Sequence, residues 1–154
     1  MKLVLPYPIS ANRYWRTVVA RHGEFAQTYV SPEASRYKRQ VKIAAHEQGH
    51  REPIPGRVAV AVELYPHRPL DWQKRVRIAP QTWDDTVQCL DLDNALKVLL
   101  DSLRKIAFTD DAWVRRIHAE RMEPDGEGER VIVTVEPIAH EVRQPALFEA
   151  IRAA

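Results

Sequence analysis

Apolar and polar residues along this chain fall into short blocks whose period switches between two and about 3.6. Lys2 to Leu5 is the first block, a short strand ended by Pro6 and Pro8. Thr28 to Val30 predicts a second strand, pairing back across the turn signal His22-Gly23. Ser31-Pro32-Glu33-Ala34 opens a helix: Ser31 suits the cap, Pro32 suits the first turn, and Ala34 stands where a capping-box acid would complete the motif. That helix is predicted to run to about Gln48 and end at Gly49, with Pro53 beyond it. Val58, Val60, Val62 and Leu64 alternate with Ala59, Ala61 and Glu63, the pattern of a strand with at least one buried face. Residues 66–90 carry Pro66, Pro69 and Pro80 and little periodicity, so they read as a long loop, of the kind that is usually functional or disordered.

The clearest helix follows. Leu96, Leu99, Leu100, Leu103, Ile106 and Ala107 recur at helical spacing from about Asn94 onward. Thr109-Asp110-Asp111 marks a turn, after which Val114 to Met122 and Val131 to Val135 read as strands joined by a hairpin-like loop, Pro124-Asp125-Gly126-Glu127-Gly128. The order β-β-α-β-α-β-β predicts an α+β fold: one domain over 1–138, a small mixed sheet packed with two main helices, the long basic loop at about 66–90, and a tail at 139–154.

Composition narrows this picture. A length of 154 residues with 45% apolar content is enough for one buried core. Leu3-Val4-Leu5 is too short for a signal-peptide core, and no stretch approaches a membrane span, so the expected location is the cytoplasm, with no membrane partner. A single cysteine, Cys89, excludes an internal disulfide framework and reads as a filler rather than a nucleophile. The net charge of +2 conceals local clusters: Arg13, Arg16 and Arg21; Arg36, Lys38, Arg39 and Lys42; and His67, Arg68, Lys74, Arg75 and Arg77 among Trp72 and Trp83. Cations mixed with aromatic rings suit a polyanion, since cations pair with phosphates and rings stack on exposed bases, although each cluster alone also fits ordinary solvated surface.

Candidate chemistry concentrates before the leucine-rich helix. If residues 91–93 are extended, Asp91 and Asp93 project to one side and Leu92 points to the core. Asp93, Lys97 and Asp101 then follow at i, i+4 spacing on a face away from the leucines. Two carboxylates, the Asn94 amide and a lysine suit a magnesium ion that takes its remaining ligands from water and a phosphate. Taken alone, the residues fit equally a helix cap with surface ion pairs, and Asp110-Asp111 a plain turn. His46-Glu47-Gln48-Gly49-His50 has the form of the helical zinc-hydrolase pattern, but Gly49 interrupts the helix and Pro53 follows closely, so it reads as a solvated helix end.

Taken together, three stretches resemble the RusA family of Holliday-junction resolvases. They are Asp91-Leu92-Asp93-Asn94-x-x-Lys97-x-x-x-Asp101-x-Leu103 followed by Phe108-x-Asp110-Asp111; Leu5-Pro6-Tyr7-Pro8-x-Ser10-x-Asn12-Arg13-Tyr14-Trp15-Arg16; and Val30-Ser31-x-Glu33 with Tyr37 following. The resemblance covers about residues 3–137. It implies Asp91, Asp93 and Asp111 as metal-binding carboxylates, Lys97 as the catalytic lysine, and magnesium, or manganese in its place, as cofactor. It also implies an α+β homodimer that nicks four-way DNA junctions symmetrically, in bacteria or their prophages. Two equivalent scissile sites suit an isologous dimer. Asn12, Arg13 and Arg16 are expected to support the site or the DNA backbone. A less selective nuclease of branched or flapped DNA, and a junction-binding module that does not cut, are the alternatives.

Two departures from the family pattern bear on DNA contacts. Ile9 replaces the second proline of the N-terminal pair, and Gln88-Cys89-Leu90 stands where a basic run usually precedes the first aspartate. Arg68, Lys74, Arg75 and Arg77 are therefore expected to supply the displaced cations. In the tail, Gln144-Pro145-Ala146-Leu147-Phe148 is similar to the Gln-x-x-Leu-Phe peptide that docks bacterial replication and repair proteins on the sliding clamp, with Gln144, Leu147 and Phe148 as anchors. The alternative is a terminal amphipathic helix carrying Leu147, Phe148 and Ile151 against this protein or its dimer mate.

Overall fold

The computed structural model describes residues 1–19 and 26–139. Its strands are β1 (Lys2–Pro6), β2 (Trp15–Val19), β3 (Ala26–Val30), β4 (Val58–Tyr65), β5 (Val114–Arg121) and β6 (Arg130–Pro137). The helices are α1 (Pro32–Glu47), α2 (Trp72–Ile78) and α3 (Leu92–Leu103), with 3₁₀ turns at Ala11–Arg13 and Asp111–Trp113. Four strands form a mixed sheet in the order β1-β6-β4-β5, and β2 and β3 form a separate antiparallel pair. The expected α+β class with a small mixed sheet and two main helices is what the chain adopts.

Burial follows the alternation in the sequence. Val58, Val60, Val62 and Leu64 of β4 are buried, and Val131, Val133 and Val135 of β6 and Leu3 and Leu5 of β1 join them. Against this face pack Ala34, Tyr37, Val41 and Ala45 of α1 and Ala95, Val98, Leu99 and Leu103 of α3, with Phe108 closing the core. Fully burying each large apolar side chain contributes about 1.5–3 kcal/mol, so these two helices are fixed on the sheet by their apolar stripes. Ser31 caps α1 as its sequence predicts, with Oγ accepting the Ala34 amide at 3.1 Å and donating to the Arg13 carbonyl at 2.7 Å.

Three expectations change. β5 and β6 are not a hairpin: β5 runs parallel to β4, β6 runs antiparallel to it, and β4 lies between them. β4 carries apolar or small residues from Val58 to Val62, and burial on both edges satisfies its whole ladder, while the loop after β5 needs to span only about 9.5 Å to step across one strand. The leucine pattern also overran its helix. α3 stops at Leu103, Lys105 takes a positive φ of 65°, and Ile106 and Ala107 turn back with their amides on the Leu103 carbonyl. The stretch 66–90 is not wholly irregular, since it holds α2. No residue of α2 is buried, so no apolar periodicity could announce it. Polar and aromatic anchors fix it instead: Arg75 on Asp71 at 2.9 Å, Arg68 over the Trp72 ring at 4.5 Å, and Trp72 beside Trp83 at 6.4 Å. Arg121 of β5 then ties the segment to the sheet, donating to the carbonyls of Asp84 and Val87 at 2.7 Å each.

Candidate active site

The N-terminus of α3 is fixed by the start of the chain. Tyr7, just beyond β1, accepts the Leu90 amide on its hydroxyl at 3.0 Å and meets Cys89 Sγ at 3.4 Å. Burial, and after it the Cys89 contact, pushes the Tyr7 hydroxyl far above its ordinary pKa, so it stays a neutral phenol. One motif thus holds the backbone immediately before the other. Asp91 follows in extended conformation at the N-cap, its carbonyl accepting the Ala95 amide at 3.0 Å. The helix begins at Leu92, so the pair does not flank an extended Leu92: Asp91 sits on the cap and Asp93 in the first turn.

These carboxylates are not consumed by structure. Asp91 makes no side-chain cap hydrogen bond and receives only a long contact from Asn94 Nδ2 at 3.4 Å. Asp93 and Lys97 are exposed and form no ion pair among the described residues. The cap and ion-pair account of this segment therefore fails for its side chains, although the Asp91 backbone does start the helix. Negative side chains are also favoured at a helix N-terminus, where backbone N–H groups point outward.

Lys97, Asp101 and Asp111 come together. They line one pocket of about 280 Å³ with Tyr14, Trp15, Ala11 and Leu100. Asp111 enters from the 3₁₀ turn Asp111–Trp113, which Asp110 caps by accepting the Ala112 amide at 3.1 Å. Tyr14 is buried, and its carbonyl accepts the Ser31 amide at 2.8 Å, which joins the third similar stretch to the second. Asp101 does not pair with Lys97. Lys38 of α1 takes it instead, at 2.6 Å but off the direction of a hydrogen bond, leaving Oδ2 buried without a hydrogen-bond donor. Burial raises the Asp101 pKa, Arg104 opposes that shift, and the charge of Asp111 adds to it; burial and then Arg104 lower that of Lys38. Sequence spacing could not reveal Lys38, which lies on the other helix, nor the anchoring role of Tyr7.

Among the described residues, no three His, Cys, Asp or Glu side chains close into a ready-made metal cage. The donor set nevertheless fits magnesium. It is all oxygen, its members at Asp91 and Asp93 are uncommitted, and magnesium is usually held by one or two carboxylates with water and substrate phosphate completing the shell. The zinc-like pattern does not survive: α1 ends at Glu47, Gly49 has φ 83°, and His50 Nε2 lies 3.2 Å from the Lys2 carbonyl.

The expected DNA-contacting residues separate into two groups. Asn12 and Arg16 are exposed, and Arg13 pairs with Glu33 at 2.5 Å. Arg13 and Arg75 both line a cleft of about 740 Å³ that is also lined by residues 88–90. Arg75 is committed to Asp71 and the Thr86 hydroxyl, Arg68 stacks on Trp72, and Arg77 donates to the Gln73 carbonyl, whereas Lys74 is exposed. Gln144, Leu147 and Phe148 lie outside the described residues. None of the helices described is long and apolar enough to cross a membrane.

Two comparisons with known proteins place the sequence beside a nuclease family. A model of the family described as Endodeoxyribonuclease RusA matches residues 6–136. The crossover junction endodeoxyribonuclease rusA of Enterobacteria phage HK97 is 30% identical over 110 residues, 71% of this chain and 72% of that protein.

Proposed function

The chain belongs to the RusA family of endodeoxyribonucleases, and on that footing we propose that it resolves four-way DNA junctions by paired, magnesium-assisted phosphodiester cleavage. The observation that carries the reading is a lysine without an ion pair among the described residues, sharing a pocket with Asp111, one helical turn from Asp93 and on the helix that Asp91 caps. Asp91, Asp93 and Asp111 would hold the ion. Bound there, magnesium supplies a polarised water and shields charge building on the phosphate; manganese fills the same role. Lys97 donates to the phosphate oxygens as negative charge develops there. Lys38 keeps Asp101 occupied, so the neighbouring carboxylate does not neutralise Lys97.

Two equivalent cuts require two such pockets, so the working form is a homodimer. Branched DNA is the substrate, and Asn12, Arg13, Arg16 and Lys74 contact its backbone. The tail adds a second partner: Gln144, Leu147 and Phe148 dock a bacterial sliding clamp, and a peptide of residues 140–154 that fails to bind the clamp removes that partner.

The test is cleavage of a synthetic four-way junction, with linear duplex and flap controls, with and without magnesium. Paired symmetric nicks that vanish in Asp93→Asn support the proposal. Equal cutting of linear duplex removes the junction assignment, and binding without cutting in any divalent metal removes catalysis.

A further inference from the structure

Next to the pocket, and sharing Asp101 with it, the C-terminal end of α3 and the middle of α1 line a groove of about 490 Å³. Lys38, Arg39 and Lys42 line it from α1, and Arg104 and Lys105 from the end of α3, with Asp101 shared between groove and pocket. Two of these cations are occupied: Lys38 by Asp101, and Arg104 by Asp110 at 3.7 Å. Arg39, Lys42 and Lys105 are exposed and form no ion pair among the described residues.

We propose that this groove is a second DNA-binding surface, taking the phosphate backbone of a duplex arm as it leaves the cleavage pocket. The proposal rests on the nuclease reading above and extends it to cations that lie outside the three family-like stretches. Three observations support it. The groove continues the pocket through Asp101, so a strand held near Lys97 is led along it. Cations from two separate elements line the same groove, and a polyanion bound there replaces many small counterions.

The third observation is Lys105 itself. It occupies the position just beyond the helix end at φ 65°, where glycine or asparagine is favoured. A lysine there costs on the order of 1 kcal/mol of backbone strain. Its backbone needs no side chain, because its amide is satisfied by the Phe108 carbonyl at 2.7 Å. The position therefore carries a strained residue whose side chain lines the groove and adds to the positive charge beside Asp110. Attraction to the negative helix end favours a cation in this region, yet Arg104 already supplies one.

The test compares the wild type with Arg39→Ala/Lys42→Ala and with Lys105→Gly. Junction affinity is measured across a salt series in calcium, and cleavage is then measured in magnesium on junctions with long and truncated arms. The double variant should bind at least tenfold more weakly and lower the slope of log affinity against log salt by about one for each phosphate it no longer neutralises. On truncated arms that fall short of the groove, it should cut as the wild type does. Lys105→Gly should melt at the same or a higher temperature while losing affinity, a combination that a structural role for Lys105 would not give. Unchanged affinity and slope in both variants overturn the proposal and leave the groove to an acidic protein. A wild type that cuts junctions while the variants match it overturns the groove alone; a wild type that neither binds nor cuts branched DNA overturns the nuclease reading and the groove together.

Discussion

Replacing Lys97 with alanine separates a catalytic lysine from a structural one. If Lys97 were spent on Asp93 and Asp101, one turn to either side, truncation would forfeit two i, i+4 pairs at about 0.3–0.5 kcal/mol each. The structure gives Asp101 to Lys38 at 2.6 Å and leaves Lys97 exposed and unpaired among the described residues. Alanine is also the better helix former by a few tenths of a kcal/mol. The two effects together predict a stability change within about 0.5 kcal/mol of zero, or roughly 1–2 °C in Tm for a chain of this size. The barrier tells a different story. Removing one donor that stabilises transition-state charge costs about 10²–10³ in rate, equivalent to about 2.7–4 kcal/mol. Single-turnover cleavage of a four-way junction, with binding measured separately in calcium, reads this loss. Lys97→Arg should recover part of the rate, because it restores charge with a different geometry. A Tm lowered by about 3 °C or more, with cleavage falling only in step with the folded fraction, would refute the reasoning, as would unchanged cleavage.

Four further outcomes follow from residues elsewhere in the fold. Ser31→Ala removes both the cap on Ala34 and the donor to the Arg13 carbonyl at a buried position, so urea unfolding should show a loss of about 2–3 kcal/mol. The Arg130 guanidinium holds Asp125 at a pKa of about 2, below its unfolded value near 3.9. Its contribution is therefore present above pH ~4 and lost as pH falls toward 2; the stability gap between wild type and Asp125→Asn should narrow over that window in acid-denaturation curves. In the 66–90 segment, Lys74→Ala should weaken junction binding with no change in Tm. Arg75→Ala should instead raise protease sensitivity between Pro69 and Val87, because Arg75 holds Asp71 and Thr86 together.

The amino-acid sequence alone determined what local physics can encode. Alternating valines set β4, Ser31 and Pro32 set the start of α1, and the leucines set the buried stripe of α3. The grouping of Asp91, Asp93 and Lys97 was equally legible, because spacing on one short segment puts those side chains on the start of one helix whatever surrounds them. Tertiary structure decided matters that depend on residues far apart in the chain. Whether Lys97 is free turns on Lys38, which comes from another helix and claims Asp101. How Asp91 is held turns on Tyr7, more than eighty positions away. The partner of β5 also lay beyond local reading, since the loop after it permits either a hairpin or a step across β4, and only satisfaction of β4 on both edges selects the second. Helix α2 was hidden for a related reason: its anchors are charged and aromatic pairs rather than an apolar stripe, and such pairs leave no period in a sequence. Periodicity records which face of an element is buried, whereas identity of the neighbour is fixed only when the whole chain has packed.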